Sequence, residues 1–159
     1  MNSATDLLRI EHRAIEHILE RFEAELRNPQ GEGLHALART FGEIQEHLDA
    51  HFRHEEEVFY PSLAPLLSPT DGEIAKLSDD HTDVRETSST FLELLERARS
   101  AADPAPSLRA ELTTTGWTLW NLIHHHIAQE EAGLLAFADR KLDAAAQEEI
   151  AARMKAIVS

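Results

Sequence analysis

Apolar residues recur at steps of three and four along four long stretches of the chain, the spacing of one face of an α-helix. The first stretch runs Leu8, His12, Ile15, Leu19, Phe22, Leu26. The second runs Phe41, Ile44, Leu48, His51, Glu55, Val58. The third runs Ile74, Leu77, His81, Val84, Ser88, Phe91, Leu95, and the fourth Leu119, Ile123, His126, Glu130, Leu134, Phe137. A histidine interrupts every stripe near its middle. In the second and fourth, a glutamate follows one turn later.

Breakers separate the stretches. They are Asn28-Pro29-Gln30-Gly31-Glu32-Gly33, the segment from Ala64-Pro65 through Ser68-Pro69-Thr70-Asp71-Gly72, and Asp103-Pro104-Ala105-Pro106. Between them the chain is rich in Leu, Ala, Glu and Arg, which favour helix. The pattern predicts helices over about 3–28, 34–62, 72–102, 107–138 and 143–157. Ser3 and Ser107 are the expected N-caps, Pro61 marks the end of the second helix, and Asp143 starts the last. Short turns between long helices make neighbours antiparallel. The expected fold is therefore all-α, an up-down-up-down four-helix bundle with an additional short C-terminal helix. That last helix carries Ile150, Met154 and Ile157 and is expected only to pack. No linker divides the chain, so 1–159 is read as a single domain.

Composition narrows the function classes. Of 159 residues, 42% are hydrophobic and 28% charged, with 6 Gly and 6 Pro, which leaves room for long helices. The formal net charge of −14 repels phosphate backbones and anionic lipid, so neither nucleic acid nor membrane is an expected partner. Without cysteine there is no disulfide, thiolate nucleophile, iron–sulfur cluster or Cys-type zinc site. Met1 to Ile10 has no apolar core of signal-peptide length, and no stretch is apolar enough to span a bilayer. A cytoplasmic location is the expectation. The sequence names no protein partner.

The polar residues inside the stripes need a cause. An ionised carboxylate in a core costs several kcal/mol unless it is paired or binds metal. Two glutamates and four histidines on the inner faces of one bundle call for a counter-charge. Divalent cations supply it, and imidazole with carboxylate suits iron, manganese or zinc. Residues i and i+4 share a helix face about 6 Å apart along the axis. The histidine can bind one metal while the glutamate reaches across to a second. The levels also match: His12 lies 16 residues before the expected end of its helix at 28, and His51 lies 17 after the start of the next at 34. His81 lies 21 before 102, and His126 lies 19 after 107.

The remaining histidines, His17, His35, His47, His54, His124 and His125, fall mostly off the stripes and are read as surface residues. His47, one turn before His51, is also placed to support that ligand. Glu56 and Glu131 follow the two inward glutamates directly and are read as solvated, with support of the ligands as the other reading. A H-E-x-x-H zinc-protease motif is absent, since His54-Glu55 is followed by Glu56-Glu57-Val58.

The ordered set resembles the hemerythrin-like family, the HHE cation-binding domain. It comprises a histidine on the first helix, H-x-x-x-E-E at His51–Glu56, a histidine on the third, and H-x-x-x-E-E at His126–Glu131. Glu55-Glu56-Glu57-Val58-Phe59-Tyr60-Pro61 resembles the family segment after the second helix's ligands, and the likeness covers about residues 5–138. The resemblance implies His12, His51, Glu55, His81, His126 and Glu130 as metal ligands, with Glu55 and Glu130 bridging. It implies two iron ions with an oxo or hydroxo bridge. Arg85 stands where the oxygen-carrying members place a further histidine, so one iron has a position left over and carriage in their style is not expected. Tyr60 replaces a usual phenylalanine. It is read either as an added ligand or hydrogen-bond donor, or as a boundary tyrosine with its hydroxyl in water. The implied function is binding of, or reaction with, O2, peroxide or NO, including peroxide decomposition. The alternative is a non-catalytic iron-binding or redox-sensing protein.

Overall fold

A computed structural model describes residues 2–68 and 72–157. The breaker residues Pro69, Thr70 and Asp71 lie outside the described residues, as do Met1, Val158 and Ser159 at the ends of the expected domain. The described residues form an antiparallel helical bundle without a strand. Helix α1 covers Ala4–Leu26 and α2 covers Glu32–His54. A π-helical turn, Glu55–Phe59, leads from α2 into the short α3, Tyr60–Leu63, and a 3-10 turn at Ala64–Leu66. Helix α4 covers Glu73–Ser100 and α5 covers Pro106–Glu130. A second π turn, Glu131–Leu135, leads into α6, Ala136–Lys141, and α7 covers Ala144–Lys155.

Local chemistry sets the ends. Ser3 caps α1 in a reciprocal capping box with Asp6, satisfying two backbone N–H groups that the helix leaves unpaired. The Asp143 side chain accepts from the Ala146 backbone N–H at 2.8 Å. Ser107 is not the cap of the fourth long helix. Ala105 takes that position and Pro106 opens the helix, where a fixed φ suits the first turn and the missing N–H costs nothing. Pro61 does not end its helix either. The π turn before it restarts the helix, and Pro61 falls in the first turn of α3.

The stripes point inward, and the apolar interior falls into two parts. One lies along the long helices around Phe22, Phe41 and Phe91, whose rings meet edge-on at 5.4 and 4.8 Å. Each of these buried rings contributes roughly 1.5–3 kcal/mol. Gly116 lets α5 approach closely here, since a Cβ would come within 2.4 Å of Leu26 Cδ2. The other part joins Leu8, Phe59, Leu63 and Leu134 to Ile150 and Met154 of α7. Thr5 donates to Asp139 Oδ1 at 2.6 Å, and Arg9 pairs with Oδ2, tying α1 to α6. Between the two apolar parts sits a layer of buried polar residues.

Candidate metal centre

That layer contains His12, His51, Glu55, His81, His126 and Glu130, all between 0% and 2% exposed. The structure brings all six together. His12 Nε2 lies 3.2 Å from His51 Nε2, and His81 Nε2 lies 3.2 Å from His126 Nε2. Glu55 Oε1 is 2.7 Å from His51 Nε2 and 3.5 Å from His81 Nε2, so it touches both histidine pairs. Glu130 does the same, with Oε1 3.2 Å from His12 Nε2 and Oε2 3.7 Å from His126 Nε2. The donor atoms form two groups, Glu55-His81-His126-Glu130 and His12-His51-Glu130, within each of which they lie no more than 4.8 Å apart.

These residues fit a pair of cations. Both oxygens of Glu55 and Oε1 of Glu130 are buried without a hydrogen bond, although histidine nitrogens stand within contact distance. Close N and O donor atoms whose geometry is poor for hydrogen bonding to one another could together hold a metal ion. Two imidazole nitrogens at a metal–nitrogen distance of about 2.1 Å and a right angle would be about 3 Å apart, close to the spacing of each pair.

Carboxylates hold the imidazoles from outside. Glu56 Oε2 accepts from His81 Nδ1 at 2.6 Å. Glu11 Oε1 lies 3.3 Å from His51 Nδ1, and Asp80 Oδ2 lies 3.2 Å from His126 Nδ1. A proton on Nδ1 leaves the Nε2 lone pair facing inward, which is the metal-binding tautomer. His12 is the exception: Glu131 Oε1 stays 3.8 Å from its Nδ1, which has no hydrogen-bond partner. Part of the acidic charge thus stands behind the histidines. Glu56 and Glu131 are not freely solvated, for Arg85 grips Glu56 at 2.8 and 2.9 Å and Arg13 pairs with Glu131. His54 is not a free surface residue, since its Nδ1 lies 2.8 Å from Glu11 Oε1. His17, His35, His47, His124 and His125 are exposed.

Electrostatics follow from this burial. Burial, and then the charge of Glu130, drive the Glu55 carboxyl well above the usual range. Burial acts on Glu130 too, but its contacts with Glu55 and His12 outweigh it and lower that carboxyl below the usual range. Burial, with His126 beside it, pushes His81 down to about 4, and burial lowers His126.

Tyr60 is 3% exposed, and its hydroxyl is not in water. It donates to Glu130 Oε2 at 2.6 Å and lies 3.2 Å from His81 Nε2. Burial and the two nearby glutamates raise its phenol far above normal. The π turn starting at Glu55 precedes it, with the Tyr60 N–H bonded to Glu55 O. Such turns re-aim the following side chains and often occur at functional sites. Phe52 went unmarked in the periodicity, because it lies one residue off the stripe. Its ring stacks on His81 at 3.7 Å.

A model of the hemerythrin HHE cation binding domain matches residues 3–138. The chain belongs to that family. Membership makes it a cation-binding domain, and the buried His/Glu groups described above could hold a metal ion. A protein named "DNA nickase" from Nostoc sp. (strain PCC 7120 / SAG 25.82 / UTEX 2576) is 25% identical over 154 residues. That alignment covers 97% of this chain and 38% of the relative, so the chain spans well under half of that protein. Among the described residues, no helix of this hemerythrin-family domain is long and apolar enough to cross a membrane.

Proposed function

We propose that this domain holds two iron ions and binds or reacts with O2, peroxide or NO at them. His12 and His51 would serve one ion and His81 and His126 the other, with Glu55 and Glu130 shared. The observation that carries the reading is the position of the two glutamates, each touching both histidine pairs. When bound, the metal pair supplies two exchangeable electrons and an open coordination position.

The chain's own residues do the rest. Glu11, Glu56 and Asp80 orient three imidazoles. Arg85 does not point at the cluster; its guanidinium fixes Glu56. Tyr60 stands beside Glu130 on the His81 side and is the added candidate ligand. Unligated, its hydroxyl holds a proton within reach of a small molecule there. The two apolar parts of the core keep bulk water from the polar layer between them.

A second reading, a non-catalytic iron-binding or redox-sensing domain, is favoured by the near-complete burial of all six residues. Two observations weigh against the activity named for the Nostoc protein in this chain. A net charge of −14 opposes a phosphate backbone, and most of that relative lies outside the shared segment.

Elemental analysis tests the proposal. Iron-loaded wild type should carry two irons per chain, Glu55→Ala and Glu130→Ala should lose them, and His35→Ala should keep them. Equal iron in all variants would overturn the assignment. Turnover of peroxide, O2 or NO by the loaded protein separates the reactive reading from the sensing one.

A further inference from the structure

A cleft of about 260 Å3 lies between α2 and α4. Its cause is legible on α4. Ser88 occupies a core-facing position of a stripe whose neighbours are Val84 and Phe91, and its small side chain leaves the space opposite Leu48 unfilled. Phe52, which is 2% exposed, is one of the residues lining the cleft. Behind that ring are three of the four inward imidazoles. Phe52 stacks on His81 at 3.7 Å and meets His126 and His51 at centroid distances of 6.1 and 6.0 Å. The Arg85 guanidinium lies over the Phe52 ring, 5.2 Å from its centroid.

The Phe52 ring therefore touches both the cleft and the polar layer. We propose that the α2–α4 cleft admits small uncharged molecules, of the size of dioxygen, hydrogen peroxide or nitric oxide, to the metal centre, and that Phe52 is the door. The inference rests on the proposed function, because it needs a metal pair behind the ring. Size fits: a water molecule's share of liquid is about 30 Å3, so the cleft has room for several such molecules. Charge fits as well. Arg85, the cation on the wall, is already paired with both oxygens of Glu56, so an entering anion finds no free counter-charge there. Leu48 and Val84 make the inner walls apolar. Arg85 is half-exposed, and its guanidinium covers the outer side of the Phe52 ring while bonding both oxygens of Glu56.

The test measures nitric oxide association with the full-length, ferrous-loaded protein by stopped-flow absorbance without oxygen. Ser88→Leu fills the cleft without touching the six polar residues. It should slow association about tenfold, since close-packed side chains block passage, while iron content and the final spectrum match wild type. Phe52→Ala should speed association. Thr114→Leu, in a different surface cleft between α4 and α5, should leave the rate unchanged. If Ser88→Leu fails to fold, Leu92→Trp at the mouth takes its place with the same expectation. A wild-type rate in a folded, iron-replete Ser88→Leu or Leu92→Trp protein overturns the route, as does equal slowing in Thr114→Leu. A wild type that takes up no iron overturns the proposed function itself, and an iron-replete wild type that shows no response to nitric oxide overturns the route.

Discussion

Glu56 stands directly behind His81, its Oε2 2.6 Å from the imidazole Nδ1, while Arg85 grips both oxygens of the same carboxylate. Arg85, where the family resemblance led to the expectation of a position left over at one iron, thus bonds the carboxylate that stands behind His81. Glu56→Gln keeps the shape and removes the charge. It should weaken metal binding about 10–100-fold in competition with a chelator, the usual cost of losing such a partner. Arg85→Lys should cost less, because it keeps a cation beside Glu56. An unchanged affinity in Glu56→Gln would refute the role.

Tyr60→Phe removes one hydroxyl and leaves Glu130 Oε2 without its 2.6 Å donor. The unpaired buried acceptor should cost the metal-free protein about 1–3 kcal/mol, read as a lower Tm. Iron content should stay at the wild-type level. A visible phenolate-to-iron absorption band should be present in wild type and absent from the variant. Identical spectra would remove Tyr60 from the ligand set.

Gly116→Ala places a Cβ where Leu26 Cδ2 and the Phe91 ring already stand, at 2.4 and 3.1 Å. Overpacking of this kind costs about 1–3 kcal/mol. Denaturant unfolding should show that loss with unchanged iron stoichiometry, because the site lies beyond this part of the core. A variant as stable as wild type would show that α1 and α5 yield here.

Asp139 supplies a pH-dependent contact. Burial alone would raise its carboxyl, but hydrogen bonds from Thr5 and Arg9 outweigh it and lower the pKa. A folded value below the unfolded one stabilises the protein above the ordinary carboxylate range. That contribution fades as pH falls through the folded value. Asp139 is 41% exposed, so solvent screening holds the effect below about 1 kcal/mol. Asp139→Asn should lower Tm slightly at neutral pH and converge with wild type under acid. A constant offset at all pH values would show that the carboxylate's charge contributes nothing.

Much of this protein was legible in its sequence, because helix periodicity is a local property. Spacing of three and four marked Leu8, His12, Ile15 and Leu19 as one face, and the structure buries all four. The same spacing raised the six polar residues to one level, since turns are short and antiparallel helices must match in height. Only the tertiary structure decided what each inward residue meets. The fate of the Tyr60 hydroxyl depended on a π turn that no composition signals. Glu56 looked solvated until α4 brought His81 and Arg85 against it from 25 and 29 residues away. Phe52 gained its place from the packing of α2 on α4, not from its own stripe. A face is written into neighbours along one helix; a partner across the bundle is chosen only when helices pack.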